Sequence, residues 1–402
     1  MISMITKQEI TAVASAMKLL PTTVEKDYVL SWILYGISQH SKLSQWLFKG
    51  GTCLKKCYFE TYRFSEDLDF TVPKGGLYSK NEIVSALTEI TNIVYQEVGI
   101  TFSSQGIEVK ESVNKQNNTT YIAKLTYSGP LGLPGRTQQR IKFDITDDEV
   151  LVDTPDMRSV FHPYSDMPNA PLKINCYSVN EILAEKARAI YERQGRARDI
   201  YDIINISRNF REHIDIKKAS LGVKEKFKFK SLPVPSVDVI FSRIGLAELK
   251  AGWEDQLKHQ LQILPPVESF HSELRSALLW WMDGDLEPVL PTISNKSEEK
   301  SLSRSNFPEI ITLQRSAGSG ADHLNQIRYA ARNRLCMEIE YDGVSRLVEP
   351  YSLRRPRTGN LLLYVYELHG RGRQGIKAYT VSKITGLDIT QQSFLPRYTV
   401  EL

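Results

Sequence analysis

The chain has 402 residues, 41% of them hydrophobic, and a formal net charge of +4. It is long enough for two or three domains with ordinary cores. The charge is too mild for bulk attraction to imply a nucleic-acid partner, and no run of about 18 apolar residues offers a membrane span.

Residues 5–45 read as mostly helical, with Val24 to Ile37 one amphipathic segment. The N-terminus lacks the basic-then-apolar layout of a signal peptide. Trp46-Leu47-Phe48 then reads as a short buried strand, followed by Gly50-Gly51-Thr52 and a helix predicted from Cys53 through Phe59. A strand, a glycine pair and a helix N-terminus bring unhindered N–H groups and a positive dipole to one point, which suits phosphate. Thr52 is placed to cap this helix or to contact a phosphate oxygen. Cys53 and Cys57 share a helix face and are expected in the core. With Cys176 and Cys336 they form no Cys-x-x-Cys pair and no zinc-spaced Cys/His cluster, so reduced thiols and a cytoplasmic setting are expected.

The next stretch, FSEDLDFTV from Phe64 to Val72, carries the chemistry. Strand alternation turns Phe64, Leu68, Phe70 and Val72 one way and Ser65, Asp67, Asp69 and Thr71 the other. Two carboxylates on one face repel unless something positive sits between them, and a hard divalent cation such as Mg²⁺ takes carboxylate oxygens. A polar loop, Asn114 to Thr120, is predicted to join two strands. Ile141 to Ile145 repeats the alternation, with Lys142 and Asp144 facing away from the core. In one reading Asp144 merely ends a surface strand before Asp147-Asp148-Glu149. In the other it joins Asp67 and Asp69 to hold two metals, typically ~3.5–4 Å apart, for an in-line phosphoryl displacement.

Residues 153–175 hold several prolines and read as a connector, and residues 176–285 read as helical. Asn180 to Glu192 shows an apolar stripe at Ile182, Leu183, Ala187 and Ile190, with Lys186 on the inward side. A lysine there is costly unless it meets an anion or snorkels to water. A second helix from about Ala197 carries Asp199 and Asp202 beside its apolar face. Arg188, Arg193, Arg196, Arg198, Arg208 and Arg211 make this pair a basic ridge, either a solvated face or a grip for a triphosphate or RNA backbone. Trp280-Trp281-Met282 must be buried. Asn295 to Ser305 has linker composition, which implies a separable module beyond it. Past it come a helix, Asp322 to Arg334, and strands Met337–Tyr341, Ser345–Leu353, Leu361–Leu368 and Ile376–Val381, spaced for a small curved β-barrel. Arginines there, including Arg354, Arg355 and Arg357, lie beside Tyr351 and Tyr364, either a solvated barrel surface or a pattern suited to charge and stacking on a nucleotide or single strand.

The run FKGGTCLKKCYFETYRFSEDLDF, Phe48 to Phe70, resembles the signature of the AbiEii/AbiGii nucleotidyltransferase toxins, within the DNA polymerase β-like superfamily. Glu25 to Leu30 (EKDYVL) and Glu181 to Asp202 (EILAEKARAIYERQGRARDIYD) resemble the same family, in the same order. The resemblance implies that Asp67 and Asp69 are metal ligands. It implies that Gly50, Gly51 and Ser65 shape the triphosphate site, that Lys186 contacts the nucleotide, and that Asp199 is the acidic residue of the last motif. Asp144 as third ligand follows from the wider superfamily. The C-terminal segment resembles a WYL domain, an SH3-like barrel, through Ile327, Ala330, Arg334, the Ile339/Tyr341 strand, Arg346 to Tyr351 and Lys383-Ile384. Leu362-Leu363-Tyr364 or Leu363-Tyr364-Val365 stands where that family has its naming triad.

The expected fold class is therefore α+β, with a polymerase β-like core on a mixed sheet over residues 1–175. A helical domain (176–290), a linker (291–320) and an SH3-like barrel (321–402) follow. The expected function is Mg²⁺-dependent transfer of a nucleotide from an NTP to an RNA acceptor, tRNA first, by a toxin of a toxin–antitoxin or phage-defence pair with a cognate antitoxin. The competing readings are a regulator whose core binds nucleotide without turnover, which would be free to lose Asp67 or Asp69, and nucleotidylation of a protein hydroxyl.

Overall fold

A computed structural model describes residues 2–402 except 60–61, 77, 114–117, 169, 194–195, 285–289, 294–318, 356–358 and 371, and omits the side chains of 104–106 and 319–322. Residues 294–318, most of the predicted linker, and Arg357 therefore lie outside the described residues.

Helix α1 (Lys7–Ala16) is capped by the Thr6 hydroxyl, which accepts from the Glu9 N–H. Helix α2 (Pro21–Gln39) starts on proline, whose fixed φ suits the first turn. It is not the amphipathic helix expected. From Thr23 to Ile37 every residue but Lys26 is buried, so α2 runs through the core. Its charges survive there by pairing: Asp27 meets Lys56 at 2.7 Å, and Glu25 accepts from the Leu131 N–H at 2.6 Å.

Strand β1 (Leu47–Lys49) leads into α3 (Gly50–Cys53), continued by a π turn (Leu54–Tyr58), so this helix starts three residues earlier than predicted. Strand β2 (Asp67–Thr71) and helix α4 (Lys80–Val98) follow, the latter ended by Gly99 at φ 80°. Next come β3 (Thr101–Val113), β4 (Thr119–Ser128), β5 (Arg140–Thr146), β6 (Asp156–Ser159) and β7 (Lys173–Cys176). Strands β6 and β7 lie where only a proline-bearing connector was expected. They pair with each other, and β7 adds to the sheet edge beside β1. The seven strands order as β3-β4-β5-β2-β1-β7-β6, with β2/β5 and β1/β7 parallel and the other pairs antiparallel. The sheet is mixed and the class α+β, as expected.

Six helices follow: α5 (Val179–Glu192), α6 (Ala197–Asn209), α7 (Ile216–Phe229), α8 (Val237–Ser242), α9 (Leu246–Leu257) and α10 (Val267–Leu278). Trp281 is fully buried after α10. Helix α11 (Ser319–Asn333) then precedes β8 (Leu335–Tyr341), β9 (Val344–Arg354), β10 (Leu362–His369), β11 (Gly375–Thr380) and β12 (Ile384–Ser393). The first four strands match the prediction; β12 was not foreseen. The order is β11-β10-β9-β8-β12, an antiparallel sheet whose edge strands do not pair, so the described residues form an open sheet rather than a closed barrel.

This C-terminal unit is not loosely attached. Ile327, Tyr329, Ala330 and Leu335 belong to the same apolar core as α6 and α10. The Tyr201 hydroxyl on α6 donates to Asn333 Oδ1 at 2.9 Å, and the Tyr329 hydroxyl donates to the Ile263 carbonyl at 2.6 Å.

Candidate active site

Strand β2 is the centre of the site because its neighbours bring the other polar groups abreast. Asp69 lies opposite Lys49 on β1 and opposite Asp144 on β5; Asp67 lies opposite Lys142. Leu68, Phe70 and Val72 are buried on the other face, so the alternation predicted from sequence holds. Asp144, the least secure member from sequence, thus stands one strand away from Asp69.

Burial raises the pKa of Asp69 to about 7, helped by the charges of Asp144 and Asp67 and opposed by Lys49. Asp67 is raised too, first by burial. Asp144 is held by Lys142 at 2.7 Å, and among the described residues the three carboxylates do not gather within 4.8 Å of one another. Gly50, at φ 78°, backs the cluster: a Cβ there would fall 2.2 Å from Asp69 Oδ2. An all-oxygen donor set with unbalanced charge fits a hard divalent cation such as Mg²⁺.

A second cluster lies on the helical side. Lys186 on α5 donates to Asp199 at 2.9 Å and pairs with Asp202 at 2.7 Å, both on α6. It does not snorkel. Arg63 grips Asp202 with two N–H groups, each at 2.7 Å, and donates to Gln260 Oε1 at 2.9 Å; the Tyr62 hydroxyl donates to Asp202 at 2.6 Å. Burial opposes the charge on Asp202, but Arg63 and Lys186 prevail and hold it well below the usual carboxylate range. Asp199 and Asp202 correspondingly keep Lys186 protonated against burial.

The glycine pair joins the two clusters. A Cβ on Gly51 would lie 2.3 Å from Arg63 Nη2 and 3.1 Å from Ser65 Oγ, so only glycine lets the backbone approach these groups. Lys49 donates to Glu185 at 2.8 Å, fixing β1 against α5 one residue before Lys186. Thr52 does not cap: Lys49 is the N-cap residue of α3, and the Thr52 hydroxyl donates to the Asp67 carbonyl, tying α3 to β2.

The model of the nucleotidyl transferase AbiEii toxin family, Type IV TA system, matches residues 32–279. The chain belongs to that family. The matched region spans both clusters, and this AbiEii chain is accordingly a nucleotidyltransferase toxin of the type IV toxin–antitoxin class. Among solved structures it is similar to MenT4, a nucleotidyltransferase toxin from Mycobacterium tuberculosis H37Rv, at 19% identity and a TM-score of 0.47. The likeness covers 69% of this chain and 90% of that one. A comparison with curated proteins finds no match.

In this AbiEii chain the basic ridge is smaller than the sequence suggested. Arg188 is taken by Glu149 at 2.8 Å, and Arg208 by Glu273 at 2.8 and 2.7 Å. Arg193 and Arg196 remain exposed. Among the described residues the stacking surface expected at the C-terminus is also not formed as drawn. Tyr351 and Tyr364 are buried, and Arg354 is bound to Glu401 and the Ile293 carbonyl. Sequence reasoning missed Arg63, Lys49 and Glu185. Arg63 stands immediately before the Phe64–Val72 run, but only the return of α6 gives it a partner.

Proposed function

We propose that this protein transfers a nucleotide from an NTP to an RNA acceptor, with tRNA the leading candidate, using Mg²⁺ held by Asp67, Asp69 and Asp144. The observation that carries this reading is the register: Asp69 beside Asp144 on a parallel strand, Asp67 on the same face, and Lys142 engaged with Asp144 at 2.7 Å where a cation would bind. When bound, Mg²⁺ supplies neutralisation of the triphosphate and polarisation of the reacting oxygens, and a two-metal arrangement suits three carboxylates.

The chain's own groups do the positioning. The N–H groups after Gly50-Gly51, with the Ser65 hydroxyl at the same turn, face the triphosphate, while the buried Thr52 hydroxyl holds the turn to the Asp67 carbonyl. Lys186 has three donors, two of them given to Asp199 and Asp202, and the third serves a phosphate oxygen. An acceptor hydroxyl attacks the α-phosphorus, the bond to the bridging oxygen breaks, pyrophosphate leaves and the hydroxyl proton passes to solvent. Pre-set geometry and charge supply most of the acceleration.

The division into a core (1–175), a helical domain (176–290), a linker (291–320) and a C-terminal unit (321–402) belongs to the same reading. The five-stranded antiparallel order, with one 3₁₀ turn (Val381–Lys383) between β11 and β12, supports a small WYL-like module whose sheet is open rather than closed into a barrel. The setting is cytoplasmic, in toxin–antitoxin control or phage defence, with a cognate antitoxin as partner. The test is incubation with each labelled NTP, Mg²⁺, and total RNA or RNA-free lysate. Label in a tRNA-sized band supports the proposal; label only in protein, or none with any NTP, overturns it.

A further inference from the structure

Beneath the Gly50-Gly51 turn three sulfurs converge. Cys53 ends α3, Cys57 lies on the π turn that continues it, and Cys176 ends β7. Each is at most 1% exposed, none is in a disulfide, and their Sγ atoms lie within 4.8 Å of one another. Among the described residues no other three His, Cys, Asp or Glu side chains are gathered so closely. Two cysteines four apart on one helix were readable as core filler. The third arrives through β7, a strand the sequence did not announce.

A buried cysteine alone is a small apolar side chain. Here the sulfurs act on one another. Hydrogen bonds from Cys53 and then Cys57 hold the Cys176 thiol down to about 4, with Tyr58 and Arg158 assisting, while burial pushes Cys53 and Cys57 up. Arg158 donates to the Cys57 carbonyl at 2.9 Å, so a positive charge stands at the edge of the cluster.

We propose that Cys53, Cys57 and Cys176 form a three-sulfur site for a soft, thiophilic metal ion, zinc(II) or copper(I). Soft thiolate sets select these ions. Zinc–sulfur bonds of about 2.3 Å require sulfurs ~3.8 Å apart, so the cluster must close by no more than ~1 Å. The ion displaces the proton of each thiol it binds and releases it to solvent, with no change of oxidation state. The site has a structural consequence. Cys53 lies two residues after Gly51, and Cys176 two before Ser178, the N-cap of the helix that carries Lys186. A bound ion fastens the phosphate-facing turn to the origin of α5. This inference is independent of the nucleotide and acceptor proposed above.

The test is elemental analysis of the full chain purified without chelator. The stripped protein is then titrated with Co²⁺ as a zinc surrogate and, anaerobically, with Cu⁺. The expected result is about one zinc or copper per chain, or, in the stripped protein, uptake of one Co²⁺ with a thiolate-to-cobalt absorption band or of one Cu⁺. The co-purified element or the preferred titrant distinguishes the two metals. Binding should vanish in Cys176→Ser and persist in Cys336→Ser. No co-purified ion together with no uptake of either titrant overturns the proposal, as does unchanged binding in a folded Cys176→Ser. The wild-type titrations decide the matter even where the variant does not fold.

Discussion

On β2 and β5, Asp67, Asp69 and Asp144 stand with too little positive charge among them, and burial with mutual repulsion lifts Asp69 to about 7. On α5 and α6, Lys186 and Arg63 meet Asp199 and Asp202 in a closed set of ion pairs, and Asp202 is held far below its usual range. The two regions are separated only by the Gly50-Gly51 turn. One carries more carboxylates than its lysines balance, the other has its counter-charges supplied. The difference assigns them different partners. In the proposed function the unbalanced face takes up a cation, while the balanced set orders a lysine and an arginine beside a turn that offers N–H groups to phosphate.

The comparison is sharpened by removing one charge from each side. Asp67→Asn and Asp69→Asn should each lower transfer on the order of 10³-fold or more. Both should fold, with thermal stability held or raised, because the change relieves repulsion. Activity retained in both variants would break the carboxylate assignment. Lys186→Ala should move stability the other way, by up to roughly 3–5 kcal/mol, since it leaves the buried Asp199 with only Arg193 at 3.8 Å and Asp202 with only Arg63. It should also weaken NTP binding. Normal NTP affinity in that variant would remove Lys186 from the triphosphate site.

A pH series in chelator separates the regions again. Asp69 has a folded pKa raised above its unfolded value, so the folded state binds the extra proton. Its contribution to stability is therefore present at low pH and lost as pH rises from about 4 through about 7. Metal-free wild type should lose stability over that window relative to Asp69→Asn. Parallel curves would mean that Asp69 is not under strain. The smallest effect is expected at the far end of the balanced set. Asn333→Ala leaves the buried Tyr201 hydroxyl without its acceptor, at a cost of about 1–3 kcal/mol. Because Tyr201 lies between Asp199 and Asp202, NTP affinity should fall modestly as well. Ending the chain at residue 290 uncovers the same face of α6 and should destabilise the remainder, contrary to the separability implied by the linker's composition.

What the sequence disclosed followed from local pattern. Alternation in Phe64–Val72 and Ile141–Ile145 is a property of each strand, so the acidic face was legible before any pairing was known. The inward position of Lys186 followed in the same way from helical periodicity. What stayed hidden depends on long-range return of the chain. Arg63 gains meaning from Asp202, and Cys53 and Cys57 from Cys176. Strands β6 and β7 are four residues each, too short for alternation to stand out among prolines. Helix α2 misled because Asp27 and Glu25 mark a polar face only until Lys56 and the Leu131 N–H reach them in the core.

The most direct measurement is a Mg²⁺ titration of thermal unfolding, made in parallel on metal-free wild type and Asp69→Asn. A ligand that binds only the folded state raises its stability by mass action. The unbalanced face predicts that Mg²⁺ raises the Tm of wild type in a saturable way and leaves Asp69→Asn nearly unmoved. Equal shifts in both proteins, or none in wild type, would contradict it.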